Sequence, residues 1–161
     1  NKEIKNDISG KVTKQWEERI LMDSFKIDIF EKETQRKFPP YKTLTMEDSN
    51  IVLRELSSHC YSDVSDFNKI QTASELVKDI DATSEDFHVI RLFADTQPPN
   101  EIIVIWSNES AIDIFNYTDF CNCFEYIWYP SSDDILITSD IGNVMYLIRH
   151  DGVIFRIIPQ G

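Results

Sequence analysis

Apolar positions change their period along this chain, and each change predicts an element. Between Lys11 and Met22, Val12, Trp16, Ile20 and Leu21 fall at helical spacing while Glu17, Glu18 and Arg19 lie on other faces, which predicts an amphipathic helix. Phe25, Ile27 and Ile29 then alternate with Lys26, Asp28 and Glu31, and this period of two predicts a half-buried strand unless the first helix runs on through it. Pro39 and Pro40 lack amide donors and mark a loop. Glu47, Asp48, Ser49 or Asn50 is suited to open a short helix holding Ile51, Val52, Leu53 and Leu56, with His59 and Cys60 at its end. After the polar segment Ser62 to Asn68, Ile70, Ala73, Leu76, Val77 and Ile80 recur at steps of three and four, predicting a second helix over Ile70 to Ile80.

Beyond Phe87 the pattern shifts to strands. His88, Val89, Ile90, Leu92 and Phe93 predict one strand, Pro98, Pro99 and Asn100 a turn, and Ile102 to Trp106 another strand, together a hairpin-like unit. Ser110 to Phe124 is ambiguous: Ile112, Ile114 and Phe115 suit a strand, while Thr118 or Asp119 is placed to cap a short helix through Phe120, Phe124 and Ile127. Three strands follow, Ile135 to Thr138, Val144 to Arg149 and Val153 to Ile158, separated by Asp140-Ile141-Gly142-Asn143 and by the Asp151-Gly152 pair. An Asp-Gly pair supplies the positive φ that a tight hairpin needs, so the three strands form an antiparallel meander. The expected fold is α+β: a mainly antiparallel sheet ending in that meander, with two to four helices packed on one face. With 161 residues and 42% hydrophobic side chains, a single domain over 1–161 is expected, residues 1–85 supplying its mainly helical part and 86–161 its mainly strand part.

Charge sharpens this picture. The net charge of −12 is unevenly placed: from Leu92 to Ile148 there is no Lys or Arg, while Asp95, Glu101, Glu109, Asp113, Asp119, Glu125, Asp133, Asp134 and Asp140 all fall in that stretch. Such a field repels nucleic acid and anionic membrane and speeds encounter with a cationic protein; excess carboxylate also favours solubility by itself. No run approaches the roughly 18 apolar residues that span a bilayer. Asn1 to Asp7 is polar and mixed in charge, unlike an export signal. Three cysteines, Cys60 distant from Cys121 and Cys123, close no complete disulfide framework, so a reducing cytoplasm is expected.

Candidate catalytic chemistry is thin. His59, His88 and His150 stand far apart, outside any triad or metal motif, and surface or turn roles account for them. Asp133 and Asp134 are adjacent, so on a strand they point to opposite faces and cannot flank one bond. With Asp140 they lack the spacing and glycine of a calcium loop. Cys121 and Cys123 have no second ligand pair for zinc, and Gly10, Gly142, Gly152 and Gly161 are isolated, leaving no phosphate-cradling loop. No cofactor, metal or catalytic residue is expected.

The segment Phe124, Glu125, Tyr126, Ile127, Trp128, Tyr129, Pro130, Ser131, Ser132, Asp133, Asp134 sets large aromatics beside carboxylates, the materials of interface anchoring and steering. The alternative is that Phe124, Ile127 and Trp128 are core and only the Ser-Ser-Asp-Asp loop is exposed. A Trp-bearing strand at Ile102 to Trp106, this acidic aromatic segment with Trp128, Tyr129 and Pro130, the following hydrophobic strand and a closing His150-Asp151-Gly152 turn resemble the small immunity proteins that protect bacteria from polymorphic toxins, including contact-dependent growth inhibition systems. The resemblance covers roughly the last seventy residues. It implies a cytoplasmic inhibitor that binds a cognate toxin, often a basic RNase or DNase, with carboxylates standing in for phosphates. On that reading Asp119, Glu125, Asp133, Asp134 and Asp140 contact the partner, with Trp128 and Tyr129 as anchors. An adaptor subunit of a larger assembly and a carboxylate-dependent hydrolase are the rival readings.

Overall fold

The computed structural model describes residues 24–107 and 111–160. The helix predicted over Lys11 to Met22 lies outside them. The chain divides into two compact units, Asn1–Pro39 and Pro40–Gly161.

In the first unit residues 24–34 are helical, here α1, and not the strand that the alternation of Phe25, Ile27 and Ile29 suggests. Five residues of period two are a weak pattern, and Phe25 and Ile29 also stand four apart on one helical face. The helix stops at Gln35, whose φ of 56° is left-handed while its N–H still reaches Glu31 O at 3.0 Å. Phe38 then returns onto the helix, its N–H on Glu31 Oε1 and its ring edge-on to Phe30 at 5.2 Å.

The second unit is an α+β fold built on a seven-stranded sheet: β1 (Tyr41–Thr43), β2 (Glu75–Leu76), β3 (Glu101–Trp106), β4 (Ile112–Asn116), β5 (Ile135–Thr138), β6 (Met145–Ile148) and β7 (Ile154–Ile157). The spatial order is β1-β4-β3-β5-β6-β7-β2, and every pairing is antiparallel. The predicted meander is present as β5, β6 and β7, adjacent in the sheet and joined by turns in which Gly142 and Gly152 adopt φ near +88°.

The described residues of this unit also form three α-helices: α2 (Met46–Cys60), α3 (Phe67–Thr72) and α4 (Tyr117–Ile127). Each is started by the residue just before it, whose side chain accepts free amides: Thr45 from Asp48, Asp66 from Asn68 and Lys69, Asn116 from Asp119. These caps replace the ones expected at 47–50 and at Thr118 or Asp119.

Helices cover both faces of the sheet instead of gathering on one. Leu53 and Leu56 of α2 and Phe67 and Ile70 of α3 join Ile105, Ile112, Leu136 and Leu147 in one buried cluster. These strand residues share a face, since Ile105 pairs with Ile112 and Leu136, and Leu136 with Leu147. On the opposite face Phe120 of α4 meets Phe115 of β4 and Phe124, and Phe93 meets Tyr117 and Tyr146. Sandwiching explains why all four residues of β5 are buried, and why its sequence is continuously apolar up to Thr138.

Two predicted elements take another form. The helix expected over Ile70 to Ile80 ends at Thr72, where Ser74 Oγ donates to Gln71 O at 2.7 Å and competes with the helical pattern. Leu76 and Val77 instead cover the outer edge of β7, Val77 N–H reaching Ile154 O at 2.9 Å, and this satisfies strand groups that otherwise lack partners. Leu76 is accordingly 54% exposed, so its helical spacing marked no buried face. The strand expected at His88 to Phe93 is a 3-10 helix over Val89–Phe93. Val89, Leu92 and Phe93 are its buried residues, a spacing of three and four that a helical turn places on one side and a strand does not. The hairpin-like unit therefore does not form; β3 pairs with β4 and β5.

Candidate functional site

The register divides the predicted binding residues between opposite ends of the sheet. At one end β3 begins at Glu101 beside Asn116, β5 finishes at Thr138 beside Met145, and the turn holding Asp140 joins them. There α4 also starts, directly after β4, with Asp119 in its first turn. At the other end Trp106 stands beside Ile135, immediately after Asp133 and Asp134. With about 1.5 Å of rise per residue, the eleven residues of α4 run some 16 Å from the first end toward the second. Glu125 is exposed on that helix, as are Thr118 and Asn122 at helical spacing from it.

Trp128 and Tyr129 do not form an exposed aromatic anchor. Trp128 is 3% exposed, stacked on Phe124 at 5.7 Å, and its indole N–H donates to Asp133 O at 2.9 Å. Its surface is spent inside the protein, in agreement with the core alternative. Tyr129 is half-buried, and its backbone N–H donates to Asp133 Oδ2 at 2.8 Å while its carbonyl accepts from Asp133 N at 3.0 Å. Asp133 thus closes the turn after α4.

Asp134 is also engaged internally. It lies in the connection before β5, not on a strand, and its Oδ1 accepts from His150 N at 2.7 Å and lies 3.0 Å from His150 Nδ1, with Arg149 Nε at 3.7 Å. Arg149 itself reaches Asn68 Oδ1 at 3.1 Å. The carboxylate ties the β6–β7 turn to the α4–β5 connection, a contact between residues 16 apart in the chain that spacing did not reveal. Ser131, with a left-handed φ of 74°, joins the same corner by donating its backbone N–H to His150 O at 2.8 Å. This is the one place among the described residues where hydrogen bonds bring a histidine and a carboxylate together.

Among the described acidic residues from Leu92 to Ile148, Asp95, Glu101, Glu125 and Asp140 are open to solvent and Asp119 is half-buried. Glu101 counted only toward charge in the sequence; the strand register places it at the Asp140 end. Asp140 Oδ1 accepts from the adjacent Ile141 N at 2.7 Å, which orients it without covering it.

Cys121 and Cys123 lie on α4, where residues two apart point roughly 200° from one another. Burial pushes the Cys121 thiol up, and the Tyr117 hydroxyl, itself pushed up to about 12 by burial and by Cys121, is its hydrogen-bond neighbour. No helix is long and apolar enough to cross a membrane, and no group of three or more His, Cys, Asp or Glu is placed to hold a metal ion, among the described residues. The chain matches no known family model, no characterised protein and no solved structure.

Proposed function

We propose that this chain is a binding protein of the immunity type, which engages a basic protein partner, a nuclease toxin, through Glu101, Asp119, Glu125 and Asp140. The observation that carries this reading is the exposure of Glu101, Glu125 and Asp140, with Asp119 half-buried, along α4 and the adjoining sheet end, inside a stretch from Leu92 to Ile148 that contributes no Lys or Arg. A nuclease holds cations where phosphates bind, and carboxylates on a rigid helix and turn meet those cations with charge-assisted hydrogen bonds. Asp133, Asp134 and Trp128 serve this surface indirectly, by fixing the end of α4 and the connection to β5.

The test is co-expression with the product of the gene immediately upstream, followed by size-exclusion chromatography at low and high salt. A complex that weakens with salt is expected, and the combined Asp119→Asn, Glu125→Gln, Asp140→Asn variant is expected to slow association about tenfold or more. A complex indifferent to both changes, or no complex and no rescue of growth, overturns the reading.

A further inference from the structure

We infer that the junction of α2 and α3 is a second, separate binding site, for a ligand that joins a carboxylate or phosphate to a flat apolar ring. A groove of about 580 Å³ lies here, lined by Asn50, Leu53, Arg54, Ser57, Tyr61 and Ser62. Three features of it bear on binding. Tyr61 caps the end of α2 with φ 52° and ψ 32°, a left-handed position that glycine or asparagine fills far more readily than an aromatic residue. The residue is 77% exposed, so its ring gains little from burial in return for that backbone. The Arg54 guanidinium, exposed on the same helix, makes no hydrogen bond or ion pair among the described residues, although carboxylates are abundant in this protein.

A bulky side chain held in a strained conformation beside a groove is a pattern found at binding sites. Tyr61 offers a ring face for stacking, Leu53 is the apolar floor, and the Arg54 guanidinium presents a planar fork that matches a carboxylate or phosphate. Asp63 also lines the groove, but its Oδ1 accepts from Ser65 N at 3.0 Å and Ser65 Oγ at 2.6 Å, which directs that oxygen into its own turn. Ser57 Oγ accepts Val64 N at 3.0 Å and fixes the far wall. The anion is thus taken by Arg54, with Asn50 and Ser62 as neutral neighbours.

The experiment is a heteronuclear NMR titration of the full chain with four probes: N-acetyl-L-phenylalaninate, phenyl phosphate, N-acetyl-L-phenylalanine amide and inorganic phosphate. Saturable shifts confined to the amides of residues 50–65 are expected with at least one of the first two, and which binds tighter identifies the head group. The amide, which lacks the charge, and inorganic phosphate, which lacks the ring, are expected to bind about tenfold more weakly. Arg54→Gln and Tyr61→Gly are expected to weaken the preferred probe by a similar factor, and glycine keeps the left-handed turn. No saturable shift from either charged ring probe, equal binding of inorganic phosphate, or binding unchanged in Arg54→Gln overturns the proposal.

Discussion

Asp113 receives the indole N–H of Trp106 at 3.0 Å on one carboxylate oxygen and the hydroxyl of Thr43 at 2.6 Å on the other, although its residue is only 4% exposed. The three residues sit on β4, β3 and β1, so one buried carboxylate stitches three neighbouring strands together. Removing it strands two donors. Asp113→Ala is expected to cost about 3 kcal/mol, the desolvation of two unmet polar groups, and Asp113→Asn about half of that because one acceptor survives. Urea unfolding at constant slope measures both. A loss below ~1 kcal/mol for the alanine variant shows that the network contributes nothing.

Trp128 separates core from interface. Trp128→Phe keeps a ring against Phe124 but loses the bond to Asp133 O, for an expected cost of about 1 kcal/mol, whereas Trp128→Ala is expected to cost ~3–5 kcal/mol. On the proposed function, folded Trp128→Phe is expected to associate with the basic partner at the wild-type rate. Slower association in stopped-flow measurements, with the fold intact, returns Trp128 to the contact surface.

Gly152 joins two distant segments. Its φ is +89°, and a Cβ there collides with Asp81 Oδ1 and comes to 3.0 Å from Thr83 N, while Gly152 O accepts Ala82 N at 2.9 Å. Asp81 has little room to yield, because its Oδ1 already accepts Thr83 N and Oγ1. Gly152→Ala is expected to destabilise by about 2 kcal/mol or more, from backbone strain and collision together. Faster amide exchange over residues 79–84 and 149–154 is the accompanying sign, and a thermal midpoint equal to wild type refutes it.

Tyr117 gives a pH signature. Its hydroxyl is raised from 10.0 to about 12, chiefly by burial, so the folded state keeps a proton that the unfolded chain releases near 10. The stabilisation is fully present below pH 10 and is lost as pH rises through about 12. Ultraviolet difference titration is expected to show a late phenol step that Tyr117→Phe removes. An unchanged late step assigns it to another of the six tyrosines.

Local chemistry determined the elements whose stabilising contacts are close in the chain. The β5–β6–β7 meander follows from apolar runs split by Gly142 and Gly152, each at a positive φ that favours glycine. Strand β4 and helix α4 resolve the ambiguity of Ser110 to Phe124 by occurring in succession, hinged on Asn116. What sequence alone left undecided depended on partners far away. Leu76 and Val77 have helical spacing, yet the unpaired edge of β7, some eighty residues on, offered hydrogen bonds that a helix cannot match. Likewise the acidic pattern marked a surface, but residue type does not say which carboxylates are already occupied. Asp133 and Asp134 hold turns, and Asp113 holds three strands, while Glu101, Glu125 and Asp140 stay open because register and helix phase set them outward. Hydrophobic period is a local property and could be read directly; the pairing of polar groups is a property of the assembled sheet, and only the tertiary structure decided it.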